Sequence, residues 1–317
     1  MGQPMTALRV DSRSIHLFHW TLSRRRLSEM SLFILMLPAM LLVIAFVIVP
    51  AVWAVFISFT NQSLLGPTAR NFSFIGLENY QRLFSDSAFW NSLRISFIFV
   101  FGSAFVGQFI IGFSLAVLLK HTGAVSRGII GGSVLLAWVI PEIVAVYIWG
   151  SVLSFQSGSA NQILLALGME RQRWLIDSAL LAIIVVNVWR GTAFTMLLFS
   201  SALEAIPETL YDAAAVDGAS PWERFRYITL PLLRYTILLD FILLTMGTFA
   251  VFGLAFALTG GGPLGRSEII GVYIYRNAFE YRQIGYGSAA SVVMLLINLA
   301  LALVYLRFIR VEWSETA

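Results

Sequence analysis

The sequence predicts an all-α integral membrane protein with six transmembrane helices. Two observations carry this. Hydrophobic residues make up 58% of the 317 and charged residues only 12%, about half the charged share of a soluble domain; mean hydropathy is +0.82. The charges are also placed so that six long apolar runs remain. No charge occurs between Glu29 and Arg70, between Arg94 and Lys120, or between Arg282 and Arg307. Three more runs surround Glu142, Arg190 and Asp240. Each exceeds the roughly 20 residues that carry a helix across a bilayer. The spans read as about 31–58, 92–119, 128–153, 179–203, 232–258 and 284–306.

Residues 1–29 form a polar tail, and Arg24-Arg25-Arg26 lead into the first run. That run is too long for a signal peptide, and no small-residue cleavage site follows, so it is read as a retained span. Pro38 and Pro50 lie inside it and predict kinks. With six spans both termini share a side. Segments 1–29, 119–128, 204–234 and 307–317 hold twelve Lys and Arg, whereas 60–90, 154–178 and 259–283 hold seven. The positive-inside rule therefore assigns both termini, including the 309–317 tail, and segment 204–234 to the cytoplasm of a multi-pass cell-membrane protein. Outside, Phe74 to Tyr80 with Leu83 and Phe84 are aromatic enough for the membrane interface, and a short helix is expected over about 159–168. Gly260-Gly261-Gly262-Pro263 closes span 5 with a run that no helix tolerates.

The polar stretch Glu208–Pro231, between spans 4 and 5, predicts two short helices. Thr209 and Asp212 have capping-box spacing, and Ala213, Ala214 and Ala215 favour helix. Gly218 suits a left-handed closing position. Ser220, Pro221 and Glu223 open the second helix as N-cap, first residue and capping-box acid, and Pro231 marks a break.

This knuckle resembles the cytoplasmic coupling loop of permease subunits of binding-protein-dependent ABC importers. The residues are Asp212-Ala213-Ala214, then Asp217-Gly218-Ala219, then Ile228-Thr229-Leu230-Pro231. In that family the EAA motif reads Glu-Ala-Ala, three residues, Gly, nine residues, Ile-x-Leu-Pro; here Asp212 replaces the Glu. Gly-Leu-Glu-Asn-Tyr at 76–80, the Gly-Gly-Pro loop, Tyr273-x-Tyr275 and Gly285-Tyr286-Gly287-Ser288-Ala289 look like the carbohydrate branch, and the likeness runs from about residue 33 to 308. Within it, the layout is closest to the first permease of maltose or glycerol-3-phosphate systems.

The resemblance implies a type I importer permease domain over residues 30–308 that moves a sugar, or a sugar or glycerol phosphate, into the cytoplasm. It implies as partners a homologous second permease, a cytoplasmic ATPase dimer and an extracytoplasmic solute-binding protein, in a lipid membrane and without nucleic acid. Asp212, Ala213, Ala214, Asp217, Gly218 and Ala219 are then the ATPase-coupling residues. Arg190 is a permanent cation near mid-span, so it faces either a hydrated path or an acid such as Glu142 or Asp240. Asn187 lies about one turn away on a similar face. Phe249 and Phe252 offer faces for a sugar ring, which makes these four the substrate-path candidates. The family often carries an acid after the second of these aromatics, where this chain has Gly253.

Other classes are less well supported. A secondary transporter or channel calls for repeated halves with broken helices or an ion-coupling chain, and an intramembrane enzyme calls for a paired catalytic constellation. Zero cysteines exclude disulfides and thiolate chemistry, and His16, His19 and His121 lack metal-site spacing. Lys120 is the only lysine and no Walker A run surrounds it. The chain is therefore expected to be a non-catalytic permease that binds no cofactor, with ATP and Mg held by the partner ATPase.

Overall fold

The structure, a computed structural model, describes residues 35–308. The tails, and with them Arg24–Arg26 and the 309–317 segment, lie outside the described residues. Residues up to Trp53 and residues from Ala54 onward group as two compact units. In the first, the helix α1 (Leu35–Ser58) begins, with exposed apolar side chains such as Leu35 and Phe46. Its turn Ile44–Ile48 is π-helical just ahead of Pro50, which has no N–H to give the preceding turn.

The second unit opens with the end of α1, from Ala54, to which α2 (Glu78–Ser85) is tied. Gly76 takes φ +61°, and the Asn79 amide donates to the carbonyls of Ser58 (2.9 Å) and Thr60 (2.8 Å). A long α3 (Ser87–Lys120) follows, starting on the Asp86 cap and containing a π-helical stretch, Phe101–Phe109. Its chief neighbour is α7 (Ala179–Glu204). Gly107 and Gly112 on α3, and Gly191 on α7, make that approach possible. A Cβ at Gly107 would strike Val188, one at Gly112 would strike Thr195 and the Thr192 carbonyl, and one at Gly191 would strike the Gln108 amide. Small residues let helices close up where lipid supplies no hydrophobic drive.

The stretch expected as one span at 128–153 is two helices, α4 (Ala124–Val139) and α5 (Glu142–Val152), bent by 105°. Pro141 is the cause: Ile140 before it is extended at ψ 129°. After the external α6 (Ser159–Ala166) and α7 come α8 (Glu208–Val216) and α9 (Pro221–Leu232), then α10 (Arg234–Phe249), bent 63° from α9. The break marked by Pro231 is there. The run expected at 232–258 ends as continuous helix at Phe249; α11 (Gly253–Thr259) is separate. Next come α12 (Ile270–Tyr275, continued by the π-helical Arg276–Glu280) and α13 (Ile284–Phe308). Among the described residues, four helices are long and apolar enough to cross a membrane, or up to six if each bent pair is one span.

Between α11 and α12 the chain takes three consecutive left-handed residues, Gly260, Gly261 and Gly262, a path closed to residues with a Cβ. Arg276 fixes this turn by donating to the Gly260 carbonyl (2.6 Å) and pairing with Glu268. Burial pushes the Glu268 carboxyl up, against the lowering effect of Arg276. Beside it, Asp86 accepts from the hydroxyls of Tyr273 (2.6 Å) and Tyr286 (3.0 Å). Burial raises the Asp86 carboxyl, but these bonds and the Ala88 N–H outweigh it and hold it below its ordinary value.

Candidate functional site

Two places gather the residues singled out above. The first is the knuckle. α8 carries Asp212, Ala213 and Ala214; Asp217 follows as its C-cap, and Gly218 closes the turn at φ +84°. A Cβ at Gly218 would meet nothing within 4 Å, so its conformation and not crowding demands glycine there. The N-cap of α8 is Pro207, without a side-chain bond, so Thr209 and Asp212 sit inside the helix instead of forming a cap. The second helix starts as expected: Ser220 and Glu223 form a complete capping box.

The knuckle is braced on the spans. The Tyr211 hydroxyl bonds Thr229 Oγ1 (3.0 Å), and Lys120 lies 4.6 Å over the Tyr211 ring while donating to the Leu203 carbonyl. Beneath it, Ala116, Phe199, Leu203, Ile206 and Leu233 form a buried cluster. Asp212, Ala213, Asp217 and Gly218 remain exposed, as does Val216 at 89%. An exposed helix with small residues thus lies on a packed base.

The second place is a cleft of about 380 Å³ between α3, α4, α7 and α10. Gln108, Asn187, Arg190 and Thr248 give it polar groups, and Trp138 and Phe194 give it aromatic walls. Gly191 leaves room for the Gln108 amide, which donates to the Asn187 carbonyl (3.4 Å). Asn187 Nδ2 and Arg190 Nε are shielded and lack a partner. Buried donors of this kind cost about 1–3 kcal/mol each unless satisfied.

Arg190 does two things at once. It lines the cleft, and its Nη1 lies 3.1 Å from Glu142 Oε2. Glu142 is the first residue after Pro141, so the bend of the broken span delivers the acid to α7. Asp240 is engaged elsewhere: fully buried, it accepts from the Thr195 hydroxyl at 3.1 Å.

Phe249 and Phe252 are not among the residues lining this cleft. Phe249 is in the core, edge-on to Phe97 at 5.3 Å, and Phe252 stacks on Phe256 at 5.3 Å and lies tilted against Tyr275 at 5.0 Å. Their neighbours Thr248 and Val251 line it instead. Trp189 packs on Trp149. Sequence reasoning missed Gln108, although it is the one amide in the charge-free run of span 2.

These features, a helical bundle in which an exposed knuckle sits at one end and a polar cleft lies among the spans, define a membrane permease. A family model described as the binding-protein-dependent transport system inner membrane component matches residues 108–310, and the chain belongs to that family. It is 35% identical over 277 residues to the trehalose/maltose transport system permease protein of Thermococcus litoralis, covering 87% of this chain and 92% of that one. It is 32% identical to the sulfoquinovosyl glycerol transport system permease protein of Agrobacterium fabrum, over 97% of this chain and 98% of the relative. Among solved structures, a bacterial ABC transporter importing the acidic polysaccharide alginate superposes with a TM-score of 0.76 at 20% identity, covering 90% of this chain and 96% of that one. That likeness is one of fold.

Proposed function

We propose that this chain is one permease subunit of a sugar-importing ABC transporter and that the cleft is a section of the sugar's path. The observation that carries the reading is the lining of that cleft. Amide, guanidinium and hydroxyl groups beside aromatic walls match a solute that is hydroxyl-rich at its edges and C–H at its faces. The names of its relatives, trehalose/maltose and sulfoquinovosyl glycerol permeases, point the same way. Asn187 and Arg190 are the path residues, joined by Gln108 and Thr248. Each bent pair of helices counts as one span, giving six, with both termini and the knuckle in the cytoplasm.

In this reading the chain performs no catalysis. ATP and Mg bind to a separate ATPase dimer, and Asp212 to Ala219 dock there. Ala213 and Ala214 allow close approach, and the acids meet a basic or helix-N-terminal surface. A second, homologous permease closes the path, and an extracytoplasmic binding protein delivers the solute. Purification of the native complex tests this. The chain should bring down an ATPase and a second permease, and thermal-shift screening of the cognate binding protein against sugars and glycerol phosphates should identify the ligand. Recovery of the chain alone, active without an ATPase, would refute the reading.

A further inference from the structure

We propose that the cavity between the cytoplasmic end of α3 and the α8–α9 knuckle binds a phospholipid whose headgroup carries both a phosphate and a free ammonium. The cavity holds about 600 Å³. Its lining has both signs of charge: Lys120 and Arg224 on one side of the balance, Glu208 and Asp212 on the other, with His121 at the end of α3. Arg224 Nε–H is enclosed and has no acceptor, so the guanidinium meets the cavity through its other donors and not through this one. A site lined by cations alone fits an anion; this one fits a zwitterion, phosphate toward Arg224 and Lys120, ammonium toward the carboxylates.

A lipid is favoured over a soluble zwitterion by what adjoins the cavity. A groove of about 430 Å³, walled by Phe113, Val117 and Leu118, shares Val117, His121 and Phe225 with it. That groove runs along α3, a membrane-spanning helix, so a headgroup in the cavity places an acyl chain against apolar side chains. The depth is also right. Trp222, which lines the cavity, is 65% exposed, and further along α9 Tyr227 is 70% exposed with Arg226 over its ring at 5.9 Å. Exposed Trp, Tyr and Arg of this kind mark the headgroup layer. The frame is rigid, since the Tyr211–Thr229 bond and the Lys120–Tyr211 contact hold α8 against α9 and α3. A lipid wedged there would brace the knuckle against the bundle.

The assembled transporter is reconstituted in nanodiscs containing equal parts phosphatidylethanolamine, phosphatidylcholine and phosphatidylglycerol, and lipid retained on the complex is counted by native mass spectrometry. Phosphatidylethanolamine should be retained preferentially, because choline has no N–H for Glu208 and glycerol has no cation. Arg224→Gln and Glu208→Gln should each cut that retention by about tenfold, the scale of one charge-assisted hydrogen bond. Equal retention of all three lipids, a preference for phosphatidylglycerol, or no retained lipid overturns the proposal on the wild-type complex alone, whatever the variants do. Undiminished retention in both variants overturns the assignment to this cavity. Because the readout is bound lipid and not uptake, its failure leaves the transport reading standing.

Discussion

The Arg190–Glu142 pair allows the sharpest test of the cleft. The two side chains meet at 3.1 Å with 20% and 40% of their surfaces exposed. Breaking a fully buried pair costs about 3–5 kcal/mol, and exposed pairs contribute about 0–1 kcal/mol. Partial exposure puts the coupling here at about 2 kcal/mol. The two single changes should be unequal. Arg190→Gln strands a carboxylate that still reaches solvent. Glu142→Gln strands a cation that is more enclosed, cannot lose its proton and already has an unpartnered Nε. Complex yield and thermal midpoint should therefore fall more in Glu142→Gln than in Arg190→Gln. The double variant should recover part of both losses. Uptake should fail in both variants that lack Arg190, because the donor fork of the cleft is gone. A double-mutant coupling below about 0.5 kcal/mol would refute the structural role. Normal uptake by Arg190→Gln would refute the path role.

Other consequences follow from single positions. Gly218→Asp, at φ +84°, should leave membrane levels intact and abolish uptake; Gly218→Asn, which tolerates left-handed backbone, separates strain of about 1–2 kcal/mol from obstruction of docking. If both variants transport normally, Gly218 is not at a docking surface. Gly112→Val drives a side chain into Thr195 and the Thr192 carbonyl and should destabilise by about 1–3 kcal/mol, read as a lower thermal midpoint of the complex. Asp86 is held below its ordinary pKa by Tyr273, Ala88 and Tyr286 against burial. The stability it adds is thus present above the unfolded value and lost as pH falls through the folded one. Asp86→Asn should be destabilising at neutral pH and converge on wild type in acid; a pH-independent gap counts against it. Reporter fusions at Ser220 should read cytoplasmic and those at Gly76, Gly158 and Gly265 external, and an external Ser220 would remove the knuckle from the ATPase side.

The knuckle was legible because its determinants are local. A capping box, a glycine that must turn left-handed and a proline that must break a helix act over a few residues, and Ser220, Gly218 and Pro231 do what their chemistry requires. Thr209 shows the limit: its spacing suits a cap, but Pro207 ahead of it starts the helix earlier. The cleft was half legible. A lone mid-span cation announces itself, and Arg190 with Asn187 one turn away does line the cleft. For Phe249 and Phe252 the sequence offers only an aromatic face, and nothing local distinguishes a ring turned into the core from one turned into a cleft.

Glu142 and Gly253 show what only three dimensions supply. In sequence, Gly253 stands where related permeases often have an acid, and Glu142 lies in a different span as one of two candidate partners for Arg190. In the structure a Cβ at Gly253 would run into the Glu142 carboxylate. The bend at Pro141 thus carries an acid from α5 to the head of α11, and the glycine makes room for it. The negative charge has a place beside α11 although its own chain position there is vacant, and Arg190 neutralises it from α7. Broken helices, charge pair and glycine form one arrangement. Breaks inside a membrane helix free backbone groups that must then be satisfied within the protein, and the residues beside the two interruptions, Trp138 ahead of Ile140–Pro141 and Val251 within Ala250–Phe252, both line the cleft.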